Sequence, residues 1–181
     1  MKVIKYPMRE DWPEVVKRPV MDTRELSNSV AAILDEVRTN GDEALRKFSR
    51  QFDGVDLDEF FVAEDEFIGA ESEVSQELKD AVAIAKANIE KFHAITENDP
   101  PKIETTAGVW CWKRSLPIEK VGLYIPAGSA PLFSTVLMLA IPANLAGCRE
   151  VVMCSPPDRD GKVNAATLYA ARLCGVTKMF K

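Results

Sequence analysis

Between residues 131 and 146 the chain reads PLFSTVLMLAIPANLA, without one charged side chain. Charged residues make up 28% of the whole chain, so the run stands apart from its surroundings. A helix that is apolar all round is buried all round. The run is too short to span a membrane, and Pro142 interrupts it. β-like runs flank it: VGLYI at 121–125 and EVVMCS at 150–155. A second helical pattern follows at 164–174, and a strand pattern at 176–180. The tail therefore reads β-α-β-α-β, the signature of a parallel sheet with covering helices. The fold class is α/β. Two features extend the expectation. The apolar helix has few candidate partners in so short a chain, so part of it is left for something further to cover. A parallel strand at 176–180 leaves its outer ladder half open. The sequence reads as if the fold continues.

Upstream, the pattern is helical. Residues 1–21 form an irregular arm punctuated by Pro7, Pro13 and Pro19. Asp22 or Thr23 caps a helix, with Leu26, Val30, Ile33, Leu34 and Val37 at helical spacing until Asn40-Gly41 stops it. Asp42 opens another, with Leu45, Phe48 and Phe52 on one face and Asp53-Gly54 as its stop. A short strand is expected at 60–62 and a short helix at 64–70. Ser75 caps a long amphipathic helix, whose apolar stripe is Leu78, Val82, Ala85, Ile89 and Phe92. The Asn98-Asp99-Pro100-Pro101 break follows, and then a strand at 109–115 with Trp110 and Trp112 on one face. The expected division is an arm at 1–21, a helical and α/β portion at 22–120, and the beginning of a nucleotide-side α/β domain at 121–181.

Bulk properties remove several function classes. The net charge is −5 with no basic block, which argues against nucleic acid as partner. The N-terminus is charged and lacks the apolar core of a signal peptide. The cysteines are Cys111, Cys148, Cys154 and Cys174, at spacings that suit neither a zinc site nor a disulfide framework. Free thiols in a reducing cytoplasm are the expectation, with no membrane association. His93 is the only histidine, late in a helix beside Phe92, where a structural role is usual.

The chemistry-bearing stretch is the loop Pro126-Ala127-Gly128-Ser129-Ala130-Pro131. It joins a strand end to a helix start, the place where open α/β sheets bind ligands. A helix N-terminus suits a phosphate or carboxylate. Gly128 allows close approach to the backbone, Ser129 and Ser134 can donate hydrogen bonds, and Tyr124 can stack on a base. The motif is neither G-x-G-x-x-G nor a P-loop, and a tight turn with a capping serine explains it equally well. Serine hydrolysis at Ser129 or Ser134 lacks the G-x-S-x-G elbow and a second histidine.

The same stretch, VGLYIPAGSAPLFSTVLMLAIPANLAGC followed by VVMCSPP, closely resembles the nucleotide-side segment of histidinol dehydrogenase. GDEALRKFSRQFD at 41–53, ELKDAVAIAKANIEKFH at 77–93, GVWCWK at 108–113 and LYAARLCGV at 168–176 add to the resemblance. It implies an incomplete Rossmann-type α/β fold in a homodimeric, zinc-dependent enzyme. Such an enzyme oxidises L-histidinol through the aldehyde to L-histidine with two NAD molecules. The family's NAD-binding tyrosine falls on Tyr124, with Gly128 and Ser129 beside the cofactor. The family's zinc ligands and its Glu-His acid/base pair fall past residue 181, so no catalytic or metal-binding residue is assigned here. The chain alone is then expected to be inactive. The alternative is a non-catalytic module that binds only a nucleotide or a partner chain.

Overall fold

The computed structural model describes residues 3–18, 22–94, 101–127 and 131–181, in two compact units, 1–45 and 46–181. In the first unit, a 3₁₀ turn (Arg9–Asp11) runs into a short helix α1 (Trp12–Val15), and α2 spans Arg24–Asn40. Of the two cap candidates, Thr23 holds the N-cap position of α2 without a side-chain cap bond, while the Asp22 carboxylate accepts the Arg24 backbone N–H at 3.1 Å and the Arg24 guanidinium at 2.7 Å. Gly41, at φ 55°, ends the helix by donating its N–H to the Val37 carbonyl. The helical stripe of α2 has the expected spacing, yet none of its residues is buried; Leu26, Val30 and Leu34 face solvent. Helix α3 (Asp42–Phe48) continues into a π turn (Ser49–Asp53) closed by Gly54. Phe48 and Phe52 stack there at 5.6 Å, as their four-residue spacing requires.

In the second unit the predicted parallel sheet is present. Strands β3 (Lys120–Tyr124), β4 (Glu150–Cys154) and β5 (Lys178–Phe180) pair in parallel in the order β3-β4-β5. Helix α6 (Phe133–Leu145) connects β3 to β4, and α7 (Ala165–Leu173) connects β4 to β5. Right-handed crossovers between strands taken in consecutive order put both helices on the same face. Accordingly α6 packs between α7 and α5 (Gln76–His93), and α7 packs on α4 (Glu64–Glu73). Ile125, Met153 and Met179 meet these helices in one apolar cluster, together with Val82, Val136, Leu137, Ala140, Ile141 and Leu168. The alternate strand residues point the other way, and among them Tyr124 and Cys154 are exposed.

Helix α6 shows how an uncharged run behaves when cover is short. Val136, Leu137, Ala140 and Ile141 are buried, while Met138 is 54% exposed and Leu139 38%. The expectation that this chain leaves part of the helix uncovered holds among the described residues. Helix α5 begins at the predicted cap, where the Ser75 Oγ accepts the Leu78 N–H. Its stripe is buried at Val82 and partly at Leu78, Ala85 and Ile89, but Phe92 lies exposed.

Two expectations need correction. The outer ladder of β5 is not open. Residues 60–62 run antiparallel beside it: the Val62 N–H donates to the Met179 carbonyl at 2.9 Å, and the Lys181 N–H to the Phe60 carbonyl at 2.7 Å. The sequence marks 60–62 as a strand but not its partner, which lies more than a hundred residues away. The strand expected at 109–115 stops early, as β2 (Val109–Cys111). It forms an antiparallel hairpin with β1 (Ile103–Thr106), which the sequence reading missed. Ile103 pairs with Cys111, so the next ladder step would bring Lys113 opposite Pro101, which has no N–H to give. The side chains of both hairpin strands are exposed.

Candidate functional site

The carboxyl ends of β3 and β4 lie side by side. Tyr124 pairs with Cys154, and the Ile125 N–H donates to the Cys154 carbonyl at 2.9 Å. Tyr124 is the last residue of β3, and its side chain is 62% exposed, on the sheet face opposite the helices. That face is where alternation along the strand sends it, since its neighbours Leu123 and Ile125 point into the core. Gly128 and Ser129 lie outside the described residues, so of the three residues singled out by sequence only Tyr124 can be located.

Beyond the strand ends a cavity of about 400 Å³ opens. Pro126, Ala127 and Leu132 form one wall; the β4–α7 loop and the start of α7 form the other. The loop is rigidly tied. Asp158 accepts backbone N–H groups from Asp160 and Lys162, both at 2.9 Å, and its own N–H donates to the Lys162 carbonyl at 2.8 Å. Gly161, at φ 74°, makes the turn between them. Asn164 then caps α7, its Oδ1 accepting the Ala166 N–H at 3.0 Å. Ser155 and Thr167, the buried polar residues of the described chain, both line this cavity.

Sequence reasoning did not single out this second loop. The signal was present: SPPDRDGKVN follows a strand directly and packs Pro-Pro, Asp-Gly and an Asn cap into ten residues. It is the same kind of strand-to-helix junction as 126–131, one strand over.

The other candidates do not converge. Burial pushes the Cys174 thiol up to about 11, and crowding raises that of Cys154 although the residue still shows surface to solvent. Neither is a poised nucleophile. His93 sits at the end of α5 with its ring edge-on to Phe92 at 5.3 Å. Among the described residues no three His, Cys, Asp or Glu side chains gather closely enough to hold a metal ion, so these residues do not fit a zinc site.

Comparison with known proteins identifies the family. A family model described as histidinol dehydrogenase matches residues 16–181. Histidinol dehydrogenase of Bacteroides thetaiotaomicron is 51% identical over 181 residues, which is all of this chain and 42% of that protein. The enzyme of Bacteroides fragilis is 52% identical over the same span, again 42% of its length. The crystal structure of histidinol dehydrogenase from Elizabethkingia anophelis superimposes with a TM-score of 0.91 at 44% identity, covering 97% of this chain and 40% of that one. The chain thus spans well under half the length of the relatives it matches. The match of fold and of sequence over nearly every residue leads to one conclusion: the chain belongs to the histidinol dehydrogenase family, of which it represents an N-terminal portion.

Proposed function

We propose that this chain supplies the nucleotide side of an NAD-dependent oxidation of L-histidinol to L-histidine by way of the aldehyde. The observation that carries the reading is Tyr124, an aromatic ring left exposed at the carboxyl end of β3. It does not itself line the cavity of about 400 Å³, whose nearest lining residue along the chain is Pro126. In an open parallel sheet this is the edge at which dinucleotides bind. Tyr124 offers a flat ring for a base or nicotinamide, and the 126–131 loop, with Gly128 and Ser129, lets the ligand approach the backbone. When bound, NAD accepts hydride; the chain's own part is to bind and orient it. No residue of this chain is assigned to proton transfer or to zinc, and no step is routed through the metal. Zinc, the acid/base pair and a second subunit are properties of the whole enzyme as the family resemblance implies them.

Two measurements test the reading. Tyr124→Ala is expected to weaken NAD binding while leaving folding stability nearly unchanged, because the ring is mostly solvated in the free chain. Tyr124→Phe, which keeps the ring, should bind nearly as well as the parent. An NAD affinity that ignores Tyr124→Ala rules out the stacking role. The chain alone is expected to show no turnover of histidinol, and detectable NADH production by the purified 181-residue chain would overturn that.

A further inference from the structure

We propose that Asn40 is a site of spontaneous modification: its side-chain amide is converted to aspartate and isoaspartate in the folded chain, at a rate set by the opening of the end of α2. The site stands apart from the nucleotide reading above.

The first observation is the pair of residue types. Asn40 is followed by Gly41, and the missing Cβ of Gly41 leaves its backbone nitrogen room to approach the Asn40 Cγ. The reaction is internal to the chain. The Gly41 nitrogen gives its proton to solvent and attacks Cγ. The bond from Cγ to the amide nitrogen breaks, ammonia leaves with a proton taken from water, and a five-membered imide remains. Water then opens the imide at one of its two C–N bonds. Cleavage at Cγ gives aspartate with the ordinary main chain; cleavage at the Asn40 main-chain carbonyl gives isoaspartate. Asp53-Gly54 and Asp160-Gly161 are related pairs. There the group to be expelled is the oxygen of a carboxyl rather than ammonia, a slower departure near neutral pH.

The second observation is room. Asn40 is exposed, and a Cβ built on Gly41 would meet nothing within 4 Å. The side chain can fold over the peptide, and water can reach the imide. No residue of α2 is buried, so core packing does not hold this end of the helix shut.

The third observation is a gate. Asn40 is the last residue of α2, and the Gly41 N–H, the group that must attack, donates to the Val37 carbonyl at 2.8 Å. Ring closure needs that bond broken and the Asn40 backbone turned out of its helical conformation. Helix ends open in this way at little cost. The Gly41 carbonyl accepts from Ala44 at 3.1 Å and from Leu45 at 3.2 Å, and neither bond involves the attacking nitrogen. The start of α3 can therefore persist while α2 frays. The product puts a carboxylate at the carboxyl end of α2, where the helix dipole is negative. Isoaspartate also adds a methylene to the main chain. Both changes weaken the cap that gates the reaction.

The test is incubation of the whole chain at mildly alkaline pH, folded and in guanidinium chloride, followed by trypsin and mass spectrometry of peptide 39–46. The folded chain is expected to convert Asn40 about three- to tenfold more slowly than the unfolded one, the factor that one exposed backbone hydrogen bond supplies. Chromatography should resolve both products. Asn40→Gln, which must close a six-membered ring, should stay unmodified over the same period, as should the peptides that contain Asp53 and Asp160. Conversion in denaturant with none in the folded chain overturns the site, because the helix end then stays shut. Equal rates in both states overturn the gate. Aspartate without isoaspartate overturns the imide route.

Discussion

Asn144, near the end of α6, donates its side-chain N–H to the backbone carbonyl of Cys174, the residue that closes α7. One amide thus ties the carboxyl ends of both crossover helices. The chain leaves α7 through Gly175, at φ 71°, and a Cβ built there would lie 3.4 Å from the Asn144 Nδ2. Asn144→Ala removes the donor and is expected to cost about 0.5–1.5 kcal/mol in urea unfolding. Gly175→Ala should cost about 1–2 kcal/mol from its left-handed backbone alone. A neutral Asn144→Ala would show that the tie contributes nothing net.

Helix α6 allows a comparison between adjacent residues. Leu137 is 2% exposed, Met138 54%. Leu137→Ala empties space inside the cluster and should cost about 2–5 kcal/mol. Met138→Ala should stay within about 0.5 kcal/mol. Denaturant midpoints at constant slope would check both, and equal losses would mean that Met138 is covered in solution.

Glu150, on the central strand, accepts from Lys178 at 3.0 Å and lies 3.3 Å from Lys120, so it links all three parallel strands. These two lysines hold its carboxyl below the ordinary carboxylate range, the Lys178 hydrogen bond first. A depressed folded-state pKa means that the contribution is fully present above the unfolded carboxylate value. It is lost as pH falls through the lower, folded value. Glu150→Gln should therefore flatten stability against pH on the acid side and leave the slope near neutrality unchanged. A thermal-melt series from pH 7 down to pH 3 reads this directly, as a difference between parent and variant.

The four thiols should separate by rate. Cys111 is exposed on the hairpin, whereas Cys174 is buried with its pKa pushed up to about 11. Near pH 8, an aromatic disulfide reagent is expected to modify Cys111 first and Cys174 only after denaturant is added. Mass spectrometry of the labelled chain identifies the order. Early labelling of Cys174 would show that the α5–α6–α7 packing opens readily.

Where local signals were strong, the chain could be read directly. The uncharged run became α6, the Ser75 cap opens α5, and Asp42 to Gly54 forms the predicted helix and stop, with its last turn widened to a π turn. Period and punctuation are local properties, and they were sufficient there. What was missed was non-local or weakly marked. The pairing of 60–62 with β5 depends on a partner far along the chain. Strand β1 is four residues, IETT, next to a proline pair that reads as a break. Tyr124 stood out as a candidate because an aromatic at a strand end is conspicuous. That Ser155 and Thr167 line the cavity was not legible, because their burial depends on how the chain folds.

The antiparallel segment at 60–62 gives the sheet a direction. The margin at β5 is occupied by that segment, while β3 keeps its outer row of N–H and C=O groups free among the described residues. A further strand can join alongside β3. A parallel strand added there would reverse the strand order at β3 and create a topological switch point, with its crevice opening at the carboxyl end of the strand that carries Tyr124. The free margin at β3 is therefore a place where such a crevice can arise in this fold.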